Sequence, residues 1–134
     1  MKLYFSGVAG QSEVAMLQSA GVKSVLVDPT DIDRASAFNE WVLDSGAYRL
    51  FKKGEQFTPQ AVEGYGTWIA DGFQRAGLQF AMMPDVIADP EQTYRNWQVV
   101  RGAADVVPVW QWGAPKRHLL EYLGESNIVA IGGL

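Results

Sequence analysis

Apolar and polar positions follow a repeating order along the chain. A short apolar run ends in a polar residue or a glycine, and a stretch with helical spacing follows. The organising example is Trp41-Val42-Leu43-Asp44-Ser45-Gly46-Ala47-Tyr48. Three apolar residues predict a buried strand, and a carboxylate followed by Ser-Gly predicts a turn at its end. The same pattern predicts strands over 2–6, 22–27, 78–85, 106–110 and 128–131. Helices are predicted between them. Val14 and Leu17 share a face behind Ser12 as cap, with Gly21 as stop. Ile32, Ala35 and Phe38 mark a short helix over 31–39. Thr58-Pro59 opens a long helix that turns Val62, Tyr65, Ile69 and Phe73 inward and closes at Gly77. Asp89-Pro90 starts the next, with Tyr94, Trp97 and Arg101 on one face and Val100 and Ala104 beside them. Pro115 opens the last, carrying His118, Leu119, Leu120 and Leu123 to a stop at Gly124. His118 is expected on its surface.

Six strands alternating with five helices predict an α/β fold with a parallel sheet and right-handed crossovers. Residues 1–134 read as a single domain. Two architectures satisfy the pattern: an open parallel sheet, or six strands of a (β/α)8 TIM-type barrel. A full barrel needs roughly 250 residues, so the second would be incomplete. A chain stopping directly behind a strand favours that reading.

Composition narrows the chemistry. With no cysteine, disulfides and thiolate-ligated zinc are excluded within this chain. A single histidine argues against a multi-histidine metal site or a Ser-His relay, so no metal site is expected. A net charge of -4 argues against broad nonspecific nucleic-acid binding, yet not against gripping one nucleotide in a pocket. Residues 1–10 lack a signal-peptide core and no run reaches membrane-spanning length, which predicts a cytoplasmic protein with no membrane partner. Gly7-Val8-Ala9-Gly10 has neither the Gly-x-Gly-x-x-Gly pattern nor a P-loop lysine, so it reads as a strand-to-helix turn. Residues 49–54 read as a basic loop, either a solvated one or a phosphate contact beside Asp44.

Asp44, Asp85, Gln111 and the pair Gly132-Gly133 all stand at carboxyl ends of predicted strands. There a parallel α/β protein gathers its ligand crevice. Asp44 could equally cap the following turn. In order and spacing, Asp44-Ser45-Gly46, Asp85, Gln111 and Gly132-Gly133-Leu134 resemble the tRNA-guanine transglycosylase superfamily. The likeness is greatest to its phage and bacterial branch, which puts 7-deazaguanine bases into nucleic acid. It spans nearly the whole chain. It implies a base-exchange glycosyltransferase that replaces guanine by a 7-deazaguanine derivative in tRNA or DNA. Asp44 would act near the reacting centre, Asp85 and Gln111 would hold the base, and Ser45, Gly46, Gly132 and Gly133 would line the site. The nucleophilic aspartate and a structural zinc site would lie beyond this chain, leaving it without a cofactor of its own and, alone, without activity. Trp112 directly after Gln111, and Ala47 in place of a common second glycine, depart from the family pattern.

The residue types suit that chemistry. An ionised Asp85 only accepts, so it can take the N1 and N2 donors of guanine. The Gln111 amide, or backbone N–H groups at Gly132-Gly133, can donate to O6. Asp44 could move a proton or steady charge on the sugar while a covalent glycosyl-enzyme forms and breaks. Two other readings stand beside this one: a noncatalytic module that binds a base or a partner, and an unrelated barrel enzyme using Asp44 and Asp85. No lysine sits at a strand end to make an aldolase. The apolar edge residues Leu3, Phe5, Val129 and Ile131 predict self-association, a possible homo-oligomer.

Overall fold

Val25, Val27, Trp41, Leu43, Ala81 and Met83 are all buried in one core cluster with residues of the helices. They come from three neighbouring parallel strands, β1 (Ser24–Val27), β2 (Glu40–Leu43) and β3 (Leu78–Met82), and from the residue just after β3. A computed structural model describes residues 2–72, 75–103 and 105–133. Beside β3 lies β4 (Val106–Val107), completing a four-stranded sheet in the order β1-β2-β3-β4. Pro108 then interrupts the run, because it offers no N–H to a ladder. The chain resumes as β5 (Val109–Gln111), which pairs in parallel with β6 (Ala130–Gly132) as a second, two-stranded sheet. The protein is therefore mixed α/β with parallel strands throughout, and neighbours in space follow their order in the chain.

The helices are α1 (Gln11–Ser19), α2 (Ala47–Lys52), α3 (Pro59–Gly72), α4 (Pro90–Val100) and α5 (Lys116–Glu125). α3 behaves as its spacing requires: Val62, Tyr65 and Ile69 are buried and Glu63 is exposed. Phe73, expected on the same face, lies outside the described residues, as do Ala104 and Leu134. Thr58 Oγ1 accepts the Ala61 N–H at 3.1 Å and Asp89 Oδ1 the Gln92 N–H at 2.9 Å, so both expected caps are in place.

The sheet curls. The Tyr4 and Phe80 rings meet edge to face with centroids 5.9 Å apart. Yet β1 and β2 lie between their backbones, about 14 Å across a flat sheet at the usual strand spacing.

Several expectations change. The strand over 2–6 shrinks to a one-residue parallel bridge, Phe5 to Val25. The short helix over 31–39 is a 3-10 segment, Pro29–Ala37. The first helix is capped by Gly10, while Ser12 lies in its first turn and donates to Glu13 at 2.9 Å. The basic loop over 49–54 is largely helical, as α2. Gly124 does not stop α5, which runs on to Glu125. His118 is not a surface residue: it is 2% exposed and stacks on Tyr94 at 4.2 Å between ring centroids. The inward face of α5 is His118 and Tyr122, one turn apart, and Leu120 and Leu123 face outward.

Candidate functional site

The carboxyl ends of the strands carry polar groups into an apolar interior. Asp44 follows β2 directly, and Asp85 follows β3 by way of Met83 and Pro84. Gln111 and Gly132 are the last residues of β5 and β6. All four stand at the same strand polarity, as expected, although on two sheets joined through Pro108 instead of one.

Ser45 ties the two acids together. Its backbone N–H donates to Asp44 Oδ1 at 2.9 Å, and its hydroxyl donates to Asp85 Oδ1 at 2.8 Å. The same hydroxyl accepts the Ala47 N–H at 3.1 Å and so opens α2. Gly46 makes the turn possible. Its φ of 79° is a left-handed conformation that side-chain-bearing residues avoid, and a Cβ there would sit 3.0 Å from Arg49 Nη2. Asp44 thus fills the turn-capping role through one oxygen.

Burial pushes both carboxyls above the usual carboxylate range, and the negative charge of Asp85 adds to the effect on Asp44. The Ser45 hydroxyl and the Gln111 amide pull Asp85 the other way. Neither acid pairs with a cation among the described residues. Tyr65 lies within their field: burial and both charges raise its phenol, whose O–H donates to Met82 O at 2.6 Å.

Helix α4 holds the Asp85 segment by polar straps that the sequence reading missed. Thr93 Oγ1 accepts the Val86 N–H at 2.9 Å and donates to Val86 O at 3.2 Å. Asn96 Nδ2 donates to Pro84 O at 2.7 Å. Asp85 is therefore gripped from both neighbours. The signal was present, since Thr93 and Asn96 are uncharged polar residues at the phase of Trp97 and Val100, the apolar side of the helix. Beyond them, Ala88 takes a φ of 62°, which is strained for a residue with a side chain.

Gln111 joins this network. Its amide nitrogen donates to Val86 O at 2.6 Å and to Thr93 Oγ1 at 3.2 Å, so both N–H groups are occupied within the protein. Gly133, at a φ of 74°, lies against Gln111 and the backbone of Trp112. Asp44, Ser45, Asp85, Gln111 and Gly133 thus form one chain of contacts. A cavity of about 250 Å³ opens beside Asp85, walled by Leu50, Phe51, Phe57, Val86 and Ile87, with Glu55 and Gln56 among its polar groups. Its wall is part apolar and part polar, with two carboxylates, Asp85 and Glu55, and it suits a small molecule that presents hydrogen-bond donors; among the sequence-predicted site residues Asp85 alone lines it.

Asp28 was not expected at the site. It ends β1, and its Oδ1 accepts both the N–H and the hydroxyl of Thr30. Burial opposes ionisation of Asp28, but the Thr30 bonds and Arg49 outweigh it and hold the carboxyl below its usual range. No cluster of three or more potential metal ligands occurs among the described residues, and no described helix is long and apolar enough to cross a membrane. Compared with known family models, curated proteins and solved structures, the chain matches none.

Proposed function

We propose that this chain carries the base-reading end of a TIM-type β/α barrel, and that it works in base exchange. In that reaction guanine in tRNA or DNA is replaced by a 7-deazaguanine derivative. The observation carrying the reading is the pair Asp44 and Asp85, bridged by Ser45 at two neighbouring strand ends, with Asp85 on the wall of a cavity. A barrel is favoured over a doubly wound sheet by two features. The strand order runs on without the reversal that makes a switch-point crevice, and the sheet curls. Asp85 is the base reader, accepting the N1–H and N2–H₂ donors of guanine, and Asp44 serves the leaving base or the charge growing on the sugar. Gln111 acts first on the protein, fixing Val86 so that Asp85 keeps its place. It can turn to a base only by giving up the Val86 and Thr93 bonds.

A second reading is favoured by that same Gln111 network: a binding module that holds a base without exchanging it. Titration calorimetry with guanine separates binding from its absence. The wild-type chain is expected to bind and Asp85→Asn to lose about 1–3 kcal/mol, because an acceptor becomes a donor facing donors. Equal affinity in the two proteins, or no guanine binding at all, removes the base-exchange reading. Release of labelled guanine from tRNA or DNA separates exchange from simple binding in a protein that also carries the strand with the nucleophilic aspartate, since this chain alone is expected to be inactive.

A further inference from the structure

Helix α2 leaves the Asp44-Ser45-Gly46 turn and runs along the rim of the cavity. Its outward side is basic and aromatic. Arg49, Lys52 and Lys53 fall at spacings of three and four, which places them along one side of the helix and its cap. Lys52 and Lys53 are exposed and have no carboxylate within ion-pair distance among the described residues. Arg49 Nε stands 3.4 Å from Asp28 Oδ1, buried and without a well-aligned hydrogen bond, so Asp28 aims the guanidinium without saturating it. Tyr48 is 63% exposed and Phe51 52%. Lys52 Nζ lies 5.7 Å from the centre of the Tyr48 ring. The acid nearest in sequence to this cationic side is Glu55 in the following loop, leaving a local positive excess on a chain whose total charge is -4.

We infer that α2 is the docking surface for a single, unstacked nucleic-acid strand, with Arg49, Lys52 and Lys53 on its phosphates and the Tyr48 and Phe51 rings against its bases. Charge complementarity selects a phosphodiester backbone. The exposed π-faces select a single strand over a duplex, in which paired bases offer no face to stack on. Phe51 also lines the cavity beside Asp85, so a strand lying on α2 has a base within reach of that slot. The inference rests on the nucleic-acid reading for why a strand should come here, but its test is independent of guanine.

The test is fluorescence anisotropy with a fluorescein-labelled oligodeoxyadenylate about twelve nucleotides long. The wild-type chain is expected to bind, with affinity falling at least about fivefold between about 50 and about 200 mM salt. Lys52→Glu with Lys53→Glu is expected to weaken binding about tenfold or more. Lys52→Gln with Lys53→Gln is expected to fall between, which guards against a charge reversal that merely unfolds the chain. Tyr48→Ala is expected to lose about fivefold, as the removal of a stacking ring does. The control Lys23→Glu with Arg95→Glu alters two exposed cations on other elements and is expected to stay within about twofold of wild type. No binding at low salt overturns the inference, as does equal binding by wild type and the Lys52/Lys53 variants. Guanine calorimetry on the same wild-type preparation reads the other proposal separately: an oligonucleotide that binds where guanine does not removes base exchange and leaves the docking surface.

Discussion

Two groups of carboxylates in this molecule live by opposite rules. Between α4 and α5, Glu121 and Glu125 are surrounded by donors. The Tyr94 hydroxyl donates to Glu121 at 2.7–2.8 Å and Gln98 adds a bond at 3.1 Å. Glu125 takes the Trp97 indole N–H at 2.6 Å and the Arg101 guanidinium at 2.8 Å. At the strand ends, Asp44 and Asp85 are more deeply placed, face each other, and share one serine between them. The first arrangement satisfies its charges and locks two helices over the buried Trp97 and Tyr122 rings. The second leaves acceptor capacity unused, with Asp85 beside a cavity, in surroundings that disfavour the charge the pair carries. A protein that only needed to fold would not keep two acids there, since burial without a partner is costly. Strand-end acids of this kind fit the proposed site, and the helix seam fits a scaffold.

The scaffold side breaks with the largest effect. Trp97→Ala empties a fully buried indole site against Tyr122 and removes one of the two donors of Glu125, leaving Arg101. It is expected to cost about 3–5 kcal/mol, a large part of the stability of a small domain. Urea unfolding reads it. A loss below about 1 kcal/mol would mean that the seam is not the structural half of the pair.

Thr93→Val probes where the two halves join. Valine keeps the volume of threonine but leaves the buried Val86 N–H without its acceptor, and it removes one of the two acceptors of Gln111. The expected cost is about 1–3 kcal/mol of stability. Because Val86 adjoins Asp85, guanine affinity is expected to fall as well. Unchanged affinity in a destabilised variant would show that the strap serves folding alone.

The strand-end acids were legible in the sequence for a simple reason. An apolar run short enough to be a strand, followed by an acid and a turn residue, has few other readings, and Asp44 and Asp85 both fit it. What held the acids was not legible. Thr93 and Asn96 face inward on α4 with Trp97 and Val100, whereas the sequence pattern groups Tyr94, Trp97 and Arg101 on one face with Val100 and Ala104 beside them and passes over the two polar residues. His118 was not legible either. With no second histidine at ligand spacing it reads as a surface residue, whereas its ring faces the core with Tyr122 and stacks on Tyr94. α2 escaped notice because six residues give too little periodicity to separate a helix from a charged loop. The first strand is shorter than its pattern because a short apolar run over 2–6 says nothing about how many residues find a partner.

The smallest expected effect tests the comparison by sign. Asp44→Asn with Asp85→Asn removes two carboxylates whose ionisation the fold opposes, while each asparagine oxygen can still accept from Ser45. Both carboxyls are raised in the folded chain and ordinary in the unfolded one. The folded chain therefore binds protons more tightly, and the stability this linkage contributes is present below the ordinary carboxylate range and lost as pH rises through the raised values. At neutral pH the double variant is expected to be the more stable protein, by on the order of 1 kcal/mol. That advantage shrinks as pH falls through the raised values and is gone in the ordinary carboxylate range. Asp28 titrates the opposite way, its carboxyl held low by Thr30 and Arg49 against the cost of burial, so its contribution is lost only toward acid; being common to both proteins, it cancels in their difference. Urea unfolding of wild type and variant across this pH range measures that difference. A variant less stable at neutral pH, or a gap that widens toward acid, would show that Asp44 and Asp85 stabilise the fold as Glu121 and Glu125 do, and the contrast between the two groups would collapse.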